Sequence, residues 1–188
     1  MGYAGSHNHL ARVLKNIFPE RKNLWTYLDD VILTHNGTWE EAVDDIIEVL
    51  SRLHKHGLKL SPKKANLFKE HVVFLGFLLQ RGTISIPDER IQGFLEVPPP
   101  TDRLALRKFL NSLGFFRTNI PNFSELSFEL SELVNNSDKK KIGHIPFQFT
   151  ETHQALFDKL KDATRRSLPL YEVDFSKPVY CFSDASKR

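Results

Sequence analysis

The sequence has 188 residues, 40% of them apolar and 26% charged, a composition typical of a globular protein with a buried core. Its net charge of +3 is compatible with a polyanionic partner but does not require one, because nucleic-acid binding depends on how basic residues cluster. The single cysteine, Cys181, excludes an internal disulfide and a cysteine-based zinc site. The longest apolar run, 72–79, is too short to cross a membrane, and the N-terminus lacks a signal-peptide pattern. We therefore expect a soluble intracellular protein, cytoplasmic or nuclear.

The first distinctive stretch, 24–34, contains two short runs of strand-forming residues separated by Asp29 and Asp30. This pattern, which follows a helix predicted over 7–18, favours a hairpin with an acidic turn. An acidic turn suits a hard divalent cation such as Mg²⁺, which takes oxygen ligands. Two adjacent aspartates are also typical of a solvated turn, and these residues alone favour that simpler interpretation.

A long amphipathic helix is predicted after the hairpin, over 39–56. Thr38 and Glu41 form a capping box at its start, and Gly57 lies where a C-terminal cap belongs. Apolar residues recur there at steps of three and four, so we expect them to pack on the sheet as core. This apolar stripe consists of Trp39, Val43, Ile46, Leu50 and Leu53.

The segment 58–86 is predicted to form short strands. The run 72–79 is apolar enough for a buried strand, with a bend at Gly76. A turn at Arg81 and Gly82 would then lead into a further strand over 83–86. Lys63 and Lys64 are expected in a turn that precedes these strands.

The second half of the chain is predicted to be mostly helical. A short helix ends before the proline triplet at 98–100, which is typical of a stiff extended spacer. Thr101 is expected to cap the next helix, and further helices are predicted over about 125–135 and 151–166. A last strand is predicted over 178–183.

Five motifs, taken in their order along the chain, resemble the Pol polyprotein of gypsy-type LTR retrotransposons and, more distantly, retroviral reverse transcriptase. Residues 27–30, Tyr-Leu-Asp-Asp, resemble the Tyr-x-Asp-Asp motif of the polymerase palm, and 74–76, Phe-Leu-Gly, resemble the hairpin that grips the primer end. Residues 98–124 are similar to the thumb and connection segment, and 149–161 to the helix that follows it. Residues 174–186 resemble the opening strand of a ribonuclease H domain.

The resemblance implies an α+β fold in three parts. Residues 1–97 would form the C-terminal part of a palm, an antiparallel sheet with helices on one face that includes the primer-grip hairpin. Residues 98–170 would form a mostly helical region like the thumb and connection, and 171–188 would begin a ribonuclease H-like domain.

The resemblance also assigns metal-binding roles. Asp29 would be a direct Mg²⁺ ligand and Asp30 a weaker one, while the third palm aspartate and the fingers would precede residue 1. Asp184 corresponds to the first metal-binding aspartate of ribonuclease H, whose other ligands would follow Arg188. We therefore expect a fragment of an RNA-directed DNA polymerase that is catalytically incomplete and binds Mg²⁺ weakly or not at all.

What the resemblance leaves for this chain is binding to an RNA or DNA template-primer. The residues it assigns to that role are Tyr27, Phe74, Leu75, Gly76, Lys63, Lys64, Arg107, Lys108 and Arg117. The basic residues among them are equally compatible with ordinary solvated surface charges. The alternative is a co-opted, non-catalytic interaction module of retrotransposon origin. Such a module would bind a protein partner or dimerise through uncovered palm or thumb surface.

Overall fold

The computed structural model describes residues 5–19, 21–135, 147–171, 176–178 and 180, and in these ranges it combines helices with antiparallel strands. The predicted α+β class is therefore confirmed. The chain divides into two compact units, Met1–Phe68 and Lys69–Arg188. The proposed palm–thumb boundary after residue 97 stays a prediction.

The first unit is a two-stranded hairpin with a helix before it and a helix after it. Its elements are α1 (Ser6–Ile17), β1 (Leu24–Tyr27), β2 (Asp30–Leu33) and α2 (Trp39–Lys55). The strands are antiparallel, with Leu24 opposite Leu33 and Tyr27 opposite Asp30. The buried core of this unit consists of Leu14, Ile17, Phe18, Leu24, Val49 and Leu53.

Helix α2 begins as predicted but buries a different set of residues. The Thr38 hydroxyl accepts a hydrogen bond from the Glu41 N–H at 3.3 Å, and the Glu41 carboxylate accepts one from the Thr38 N–H at 2.8 Å. Leu53 is buried, but Trp39 is 61% exposed and Leu50 is 43% exposed. The expectation that the whole apolar stripe is core is wrong. In this unit, α1 and the hairpin cover only the side of α2 that carries Val49 and Leu53.

The described residues of the second unit form a small antiparallel sheet and four helices. Its elements are β3 (His71–Phe74), β4 (Phe77–Gln80), β5 (Thr83–Ser85), α3 (Asp88–Glu96), α4 (Arg103–Gly114), α5 (Phe123–Asn135), α6 (Glu151–Arg165) and β6 (Leu170–Tyr171). The strand order is β3-β4-β5-β6, with each pair antiparallel. The large apolar residues that are fully buried at its centre are Leu106, Leu113, Leu130, Phe157 and Leu160.

The run 72–79 is a hairpin rather than one buried strand. It turns at Leu75 and Gly76, whose φ angles are +50° and +84°, and Phe74 pairs with Phe77 across the turn. The sequence indicated only a bend at Gly76, because a leucine, which has no turn preference, occupies the other loop position. The second predicted turn, at Arg81 and Gly82, is confirmed. No strand forms over 58–70, where Pro62 lacks an N–H donor and most neighbours are polar or charged.

The helices of the second unit follow the predicted order, with one different cap. Asp102, not Thr101, caps α4, because its carboxylate accepts a hydrogen bond from the Ala105 N–H at 2.7 Å. Lys161 on α6 donates to the carbonyl oxygen of Leu95 at 2.9 Å, which fixes the C-terminal end of α3. The strand predicted over 178–183 lies mostly outside the described residues. None of the helices in the described ranges has the length and apolarity that a membrane crossing requires.

Candidate nucleic-acid interface

The acidic turn is a two-residue hairpin loop. Tyr27 and Asp30 form the last pair of the ladder, so Leu28 and Asp29 are the two loop residues. Leu28 has a φ of +54°, whereas Asp29 has no positive φ, which matches the φ pattern of a type II′ turn. A leucine in the left-handed region costs about 1–2 kcal/mol. The strands on either side therefore hold a turn that the leucine itself disfavours.

The side chains at this turn face solvent. Tyr27 is 53% exposed, and Asp29 and Asp30 are both exposed. No histidine, cysteine or carboxylate in the described part of the chain joins these two aspartates in a group of three that could hold a metal. Mg²⁺ requires a nearly octahedral set of oxygen ligands and gives up its waters reluctantly. The donor set that the structure describes therefore falls short of a Mg²⁺ site. Asp184 lies outside the described residues.

The opposite end of this hairpin is fixed to α2 by a polar cluster around Asp45. This cluster was not predicted from the sequence. The Asp45 carboxylate contacts His35 Nδ1 at 3.0 Å, accepts a hydrogen bond from Asn23 Nδ2 at 3.1 Å, and pairs with Arg21. The hydrogen bond from His35 lowers the pKa of Asp45, and Arg21 and Asn23 add to this effect against the opposing effect of burial. The partners lie 10 to 24 residues from Asp45 in sequence, so no local spacing signals the cluster.

Lys63 and Lys64 lie in a turn of the first unit, as predicted. The Lys64 N–H donates to the Ser61 carbonyl oxygen at 3.0 Å. Both lysine side chains are exposed.

The hairpin turn of the second unit lies beside an exposed aromatic ring. Leu75 and Gly76 both have positive φ, the pattern of a type I′ turn, and Leu75 is 39% exposed while Phe74 is half-buried. A Cβ on Gly76 would lie 3.6 Å from Cε1 of Phe115, an ordinary contact, so the backbone conformation rather than space favours glycine there. Phe115 itself is 56% exposed.

Helix α4 packs one face against the core and exposes a face of apolar, polar and basic side chains to solvent. Leu106, Phe109, Leu110 and Leu113 are buried. The exposed face carries four residues at helical spacing, which we call the α4 outer stripe: Leu104, Lys108, Asn111 and Phe115. Arg107 is adjacent and half-buried, and Arg117 is exposed just beyond the helix. The spacing of 104, 108, 111 and 115 is the signal in the sequence that indicates this face, whereas the nucleic-acid-binding residues predicted on this helix were the basic ones alone.

A cavity of about 870 Å³ lies between the hairpin turn, α3 and α4, and we call it the hairpin–helix cavity. Its walls include Leu75 and Gly76 from the turn, Gly93 from α3, Lys108 from α4, and Phe115 at the C-cap of α4. The structure thus brings three of the predicted nucleic-acid-binding residues to one cavity. Tyr27, the two aspartates, Lys63 and Lys64 belong to the other unit.

Comparison with known proteins agrees with the motifs. Residues 5–79 match the family model described as reverse transcriptase (RNA-dependent DNA polymerase). The chain is 34% identical over 161 residues to the Gag-Pol polyprotein of woolly monkey sarcoma virus, covering 86% of this chain and 9% of that protein. It is 28% identical over 193 residues to the retrovirus-related Pol polyprotein from transposon gypsy of Drosophila melanogaster, covering 98% of this chain and 18% of that protein.

Solved structures share the fold. The foamy viral protease-reverse transcriptase in complex with dsDNA has a TM-score of 0.82 at 21% identity, covering 95% of this chain and 36% of that one. The same type of protein in complex with an RNA/DNA hybrid has a TM-score of 0.78 at 20% identity, covering 88% of this chain and 22% of that one. Residues 5–79 therefore belong to the reverse transcriptase family, and the chain is similar over most of its length to a segment of the Pol polyproteins of retroviruses and LTR retrotransposons.

Proposed function

We propose that this chain contributes template-primer binding to a reverse transcriptase of retroelement origin. The observation that carries this proposal is the α4 outer stripe, in which Lys108 and Phe115 lie beside the hairpin turn at Leu75 and Gly76. A cation and an exposed ring on one helix face suit a ligand that presents phosphates and apolar sugar and base surfaces.

Phosphate contacts supply the affinity in this proposal. Lys108 and Arg117 are exposed, and Arg107 lies next to Lys108 on the same helix. Lysine and arginine contacts to phosphates are independent of base sequence and weaken as salt rises, because binding releases counterions from the nucleic acid. In the first unit, Lys63 and Lys64 would add contacts of the same kind. Tyr27, Phe74, Leu75 and Gly76 would contact the primer or template.

The related solved structures support a nucleic-acid partner. They are foamy viral protease-reverse transcriptases in complex with dsDNA and with an RNA/DNA hybrid. We propose only the class of ligand for this chain, and that class is a duplex of two nucleic-acid strands. The palm, thumb and ribonuclease H assignments of 1–97, 98–170 and 171–188 belong to the same proposal.

Catalysis by this segment alone is not expected. The parent activity, DNA synthesis on an RNA template, uses two metal ions that stabilise the attacking and leaving oxygens. Asp29 and Asp30 would supply part of that metal site in a longer polypeptide, and Asp184 would supply part of a ribonuclease H site. In the described residues the two palm-like aspartates have no third partner for a metal.

Equilibrium binding tests this proposal. Fluorescence anisotropy of a labelled, blunt-ended RNA/DNA hybrid would be measured over about 50 to 200 mM salt, the range in which counterion release is marked. We expect saturable binding whose affinity falls steeply with salt. Absence of saturable binding at the low-salt end would overturn the proposal.

A second candidate function is self-association, favoured by exposed apolar side chains in the first unit. The rings of Trp39 and Phe68 lie 4.1 Å apart, yet the two residues are 61% and 46% exposed. Ile47 and Leu50 on α2 are also 55% and 43% exposed. Contiguous exposed apolar surface marks interaction sites in folded proteins, and Trp39 and Leu50 lie at helical spacing on one face of α2. In this alternative the chain is a co-opted, non-catalytic module that pairs with a second copy of itself.

Light scattering coupled to size-exclusion chromatography separates the alternatives. A dimer that Leu50→Glu converts to a monomer would support self-association, with Glu40→Gln, at an exposed position of the same helix, as the control. A monomer at all concentrations would exclude pairing with a second copy.

A further inference from the structure

We propose that the hairpin–helix cavity receives one unpaired nucleotide, with its base against Phe115 and its phosphate at Lys108. This inference rests on the proposed binding of nucleic acid and names what that surface would recognise beyond a duplex. Three independent features of the cavity support it: its free volume, its aromatic wall and its charges.

The free volume suits a small planar ligand. At about 870 Å³ the cavity lies within the roughly 300–1,000 Å³ range of small-molecule sites. Gly93 leaves part of the α3 wall bare, because no heavy atom lies within 4 Å of the position its Cβ would occupy. Glycine weakens a helix interior, so helix stability does not explain its presence in the middle of α3. A side chain at Gly93 would occupy space that is open in this structure.

The aromatic wall can stack a base. The Phe115 ring lies 5.0 Å from the Phe77 ring at 30° and 5.0 Å from the Phe116 ring at 89°, so it is held in place by two neighbours. It is nevertheless 56% exposed. Aromatic side chains bind bases by stacking whatever the base, since every base has a π face. A base inside a duplex already stacks on its neighbours on both faces, so an unpaired base, whose faces are free, is the ligand that this wall suits best.

The charges suit one phosphate. The cavity walls carry two cations, Arg90 and Lys108, and one carboxylate, Glu89. Among the described residues, none of these three side chains forms an ion pair. Glu89 and Arg90 are neighbours on α3, so the repulsive carboxylate lies on that wall. Lys108, on α4, has no carboxylate beside it on its own wall and is the natural position for the phosphate.

Three oligonucleotides measure the contribution of the unpaired nucleotide. They are a blunt duplex, the same duplex with a one-nucleotide 3′ overhang, and the same overhang with an abasic residue. We expect the normal overhang to bind about tenfold more tightly than the blunt duplex, as stacking of one base predicts. The abasic overhang is expected to lose most of this gain, because it retains the phosphate but lacks the base that stacks on Phe115.

Two variants locate the effect in the cavity. Gly93→Leu places a side chain in the open space and is expected to bring the ratio of overhang to blunt affinity close to one. Phe115→Leu keeps an apolar residue but removes the ring, and is expected to lower the ratio in the same way. Gln92→Leu, at an exposed position of α3 that does not line the cavity, is the matched control and should keep the wild-type ratio. Circular dichroism checks that each variant is folded. If Gly93→Leu does not fold, the affinity ratio of Phe115→Leu alone tests whether the nucleotide binds in the cavity.

The outcomes separate this inference from the proposed function. Equal affinity for blunt and overhang duplexes would contradict the proposed nucleotide site and leave duplex binding unaffected. Binding of the abasic overhang as tightly as the normal overhang would contradict the site in the same way. A full overhang effect in folded Gly93→Leu and Phe115→Leu would also overturn it. Failure to bind any of the three oligonucleotides would overturn the proposed function as well.

Discussion

Asn119 and Leu168 exchange two hydrogen bonds across 49 residues of sequence. Asn119 Nδ2 donates to the Leu168 carbonyl oxygen at 3.0 Å, and the Leu168 N–H donates to the Asn119 carbonyl oxygen at 2.7 Å. The same Nδ2 donates to the carbonyl oxygen of Ile84 in β5, also at 3.0 Å. Asn119 is only 1% exposed. One buried amide therefore joins the loop after α4 to β5 and to the segment that leads into β6.

Replacing this amide should destabilise the second unit. Asn119→Ala removes two hydrogen bonds and leaves two carbonyl oxygens without their donor, at a cost of about 2–3 kcal/mol in the free energy of unfolding. Urea unfolding followed by circular dichroism at the helical signal measures it. Asn111→Ala, at an exposed position on α4, is the control and should change stability by less than about 0.5 kcal/mol. Equal stability of the two variants would show that the Asn119 amide does not hold these segments together.

Two glycines should respond oppositely to the same substitution. Gly76 has a φ of +84°, so Gly76→Ala should destabilise the hairpin turn by about 1–2 kcal/mol. Gly93 lies inside α3 with no heavy atom near the position of a Cβ, so Gly93→Ala should stabilise by about 0.5–1 kcal/mol. Urea midpoints of the two variants, compared with the wild type, measure both signs. Loss of stability in Gly93→Ala would contradict the open space described at that position.

The Asp45 cluster should make the first unit sensitive to acid. The pKa of Asp45 in the folded protein lies below its ordinary value of 3.8, so the unfolded chain binds the proton more tightly. The stabilisation is therefore fully present above about pH 4 and is lost as the pH falls through the lower folded value. Both tryptophans, Trp25 and Trp39, lie in the first unit, and their fluorescence reports its unfolding.

Asp45→Asn is the variant that isolates this effect. The difference in unfolding free energy between wild type and Asp45→Asn should shrink as the pH is lowered from 6 toward 3, in line with the cited shift. Asp44→Asn removes the same charge at an exposed neighbouring position and is the matched control. A wild-type advantage that stays constant down to the lowest pH would contradict the lowered pKa.

The acidic turn should support polymerisation only in a longer polypeptide. We expect no primer extension by this segment with Mg²⁺, because the described residues supply only two adjacent carboxylates. In a longer parent polypeptide that contains this segment, extension on an RNA template should be strong and Asp29→Asn should abolish it. Metal-dependent extension by the segment itself, lost in Asp29→Asn, would show that the site is more complete than proposed.

Local signals in the sequence predicted local structure well. The capping box at Thr38 and Glu41, the Arg81–Gly82 turn and the helix after Thr150 depend on residues close together in sequence, and each is present. The prediction that the apolar stripe of α2 is buried was wrong, because periodicity shows which residues share a face but not whether anything covers that face. Trp39 and Leu50 satisfy the period and remain exposed.

Features that depend on distant partners were not predictable. Asp45 finds His35, Asn23 and Arg21 only through the packing of the hairpin on α2. Asn119 bonds to Leu168 across the whole of α5 and α6. At the turn of 75–76 only Gly76 carried a signal, since leucine has no turn preference and adopts its positive φ under the control of the flanking strands.

Charge reversal at Lys108 tests the central claim, that the α4 outer stripe binds nucleic acid, most directly. The salt dependence of binding to a blunt RNA/DNA hybrid would be compared for the wild type, Lys108→Glu and Lys159→Glu, the last at an exposed position on α6 of the same unit. Loss of a phosphate contact lowers the slope of log affinity against log salt by about 1. Lys108→Glu should therefore bind more weakly with a shallower slope, while Lys159→Glu should keep the wild-type slope. Identical slopes and affinities for the two variants would contradict the claim.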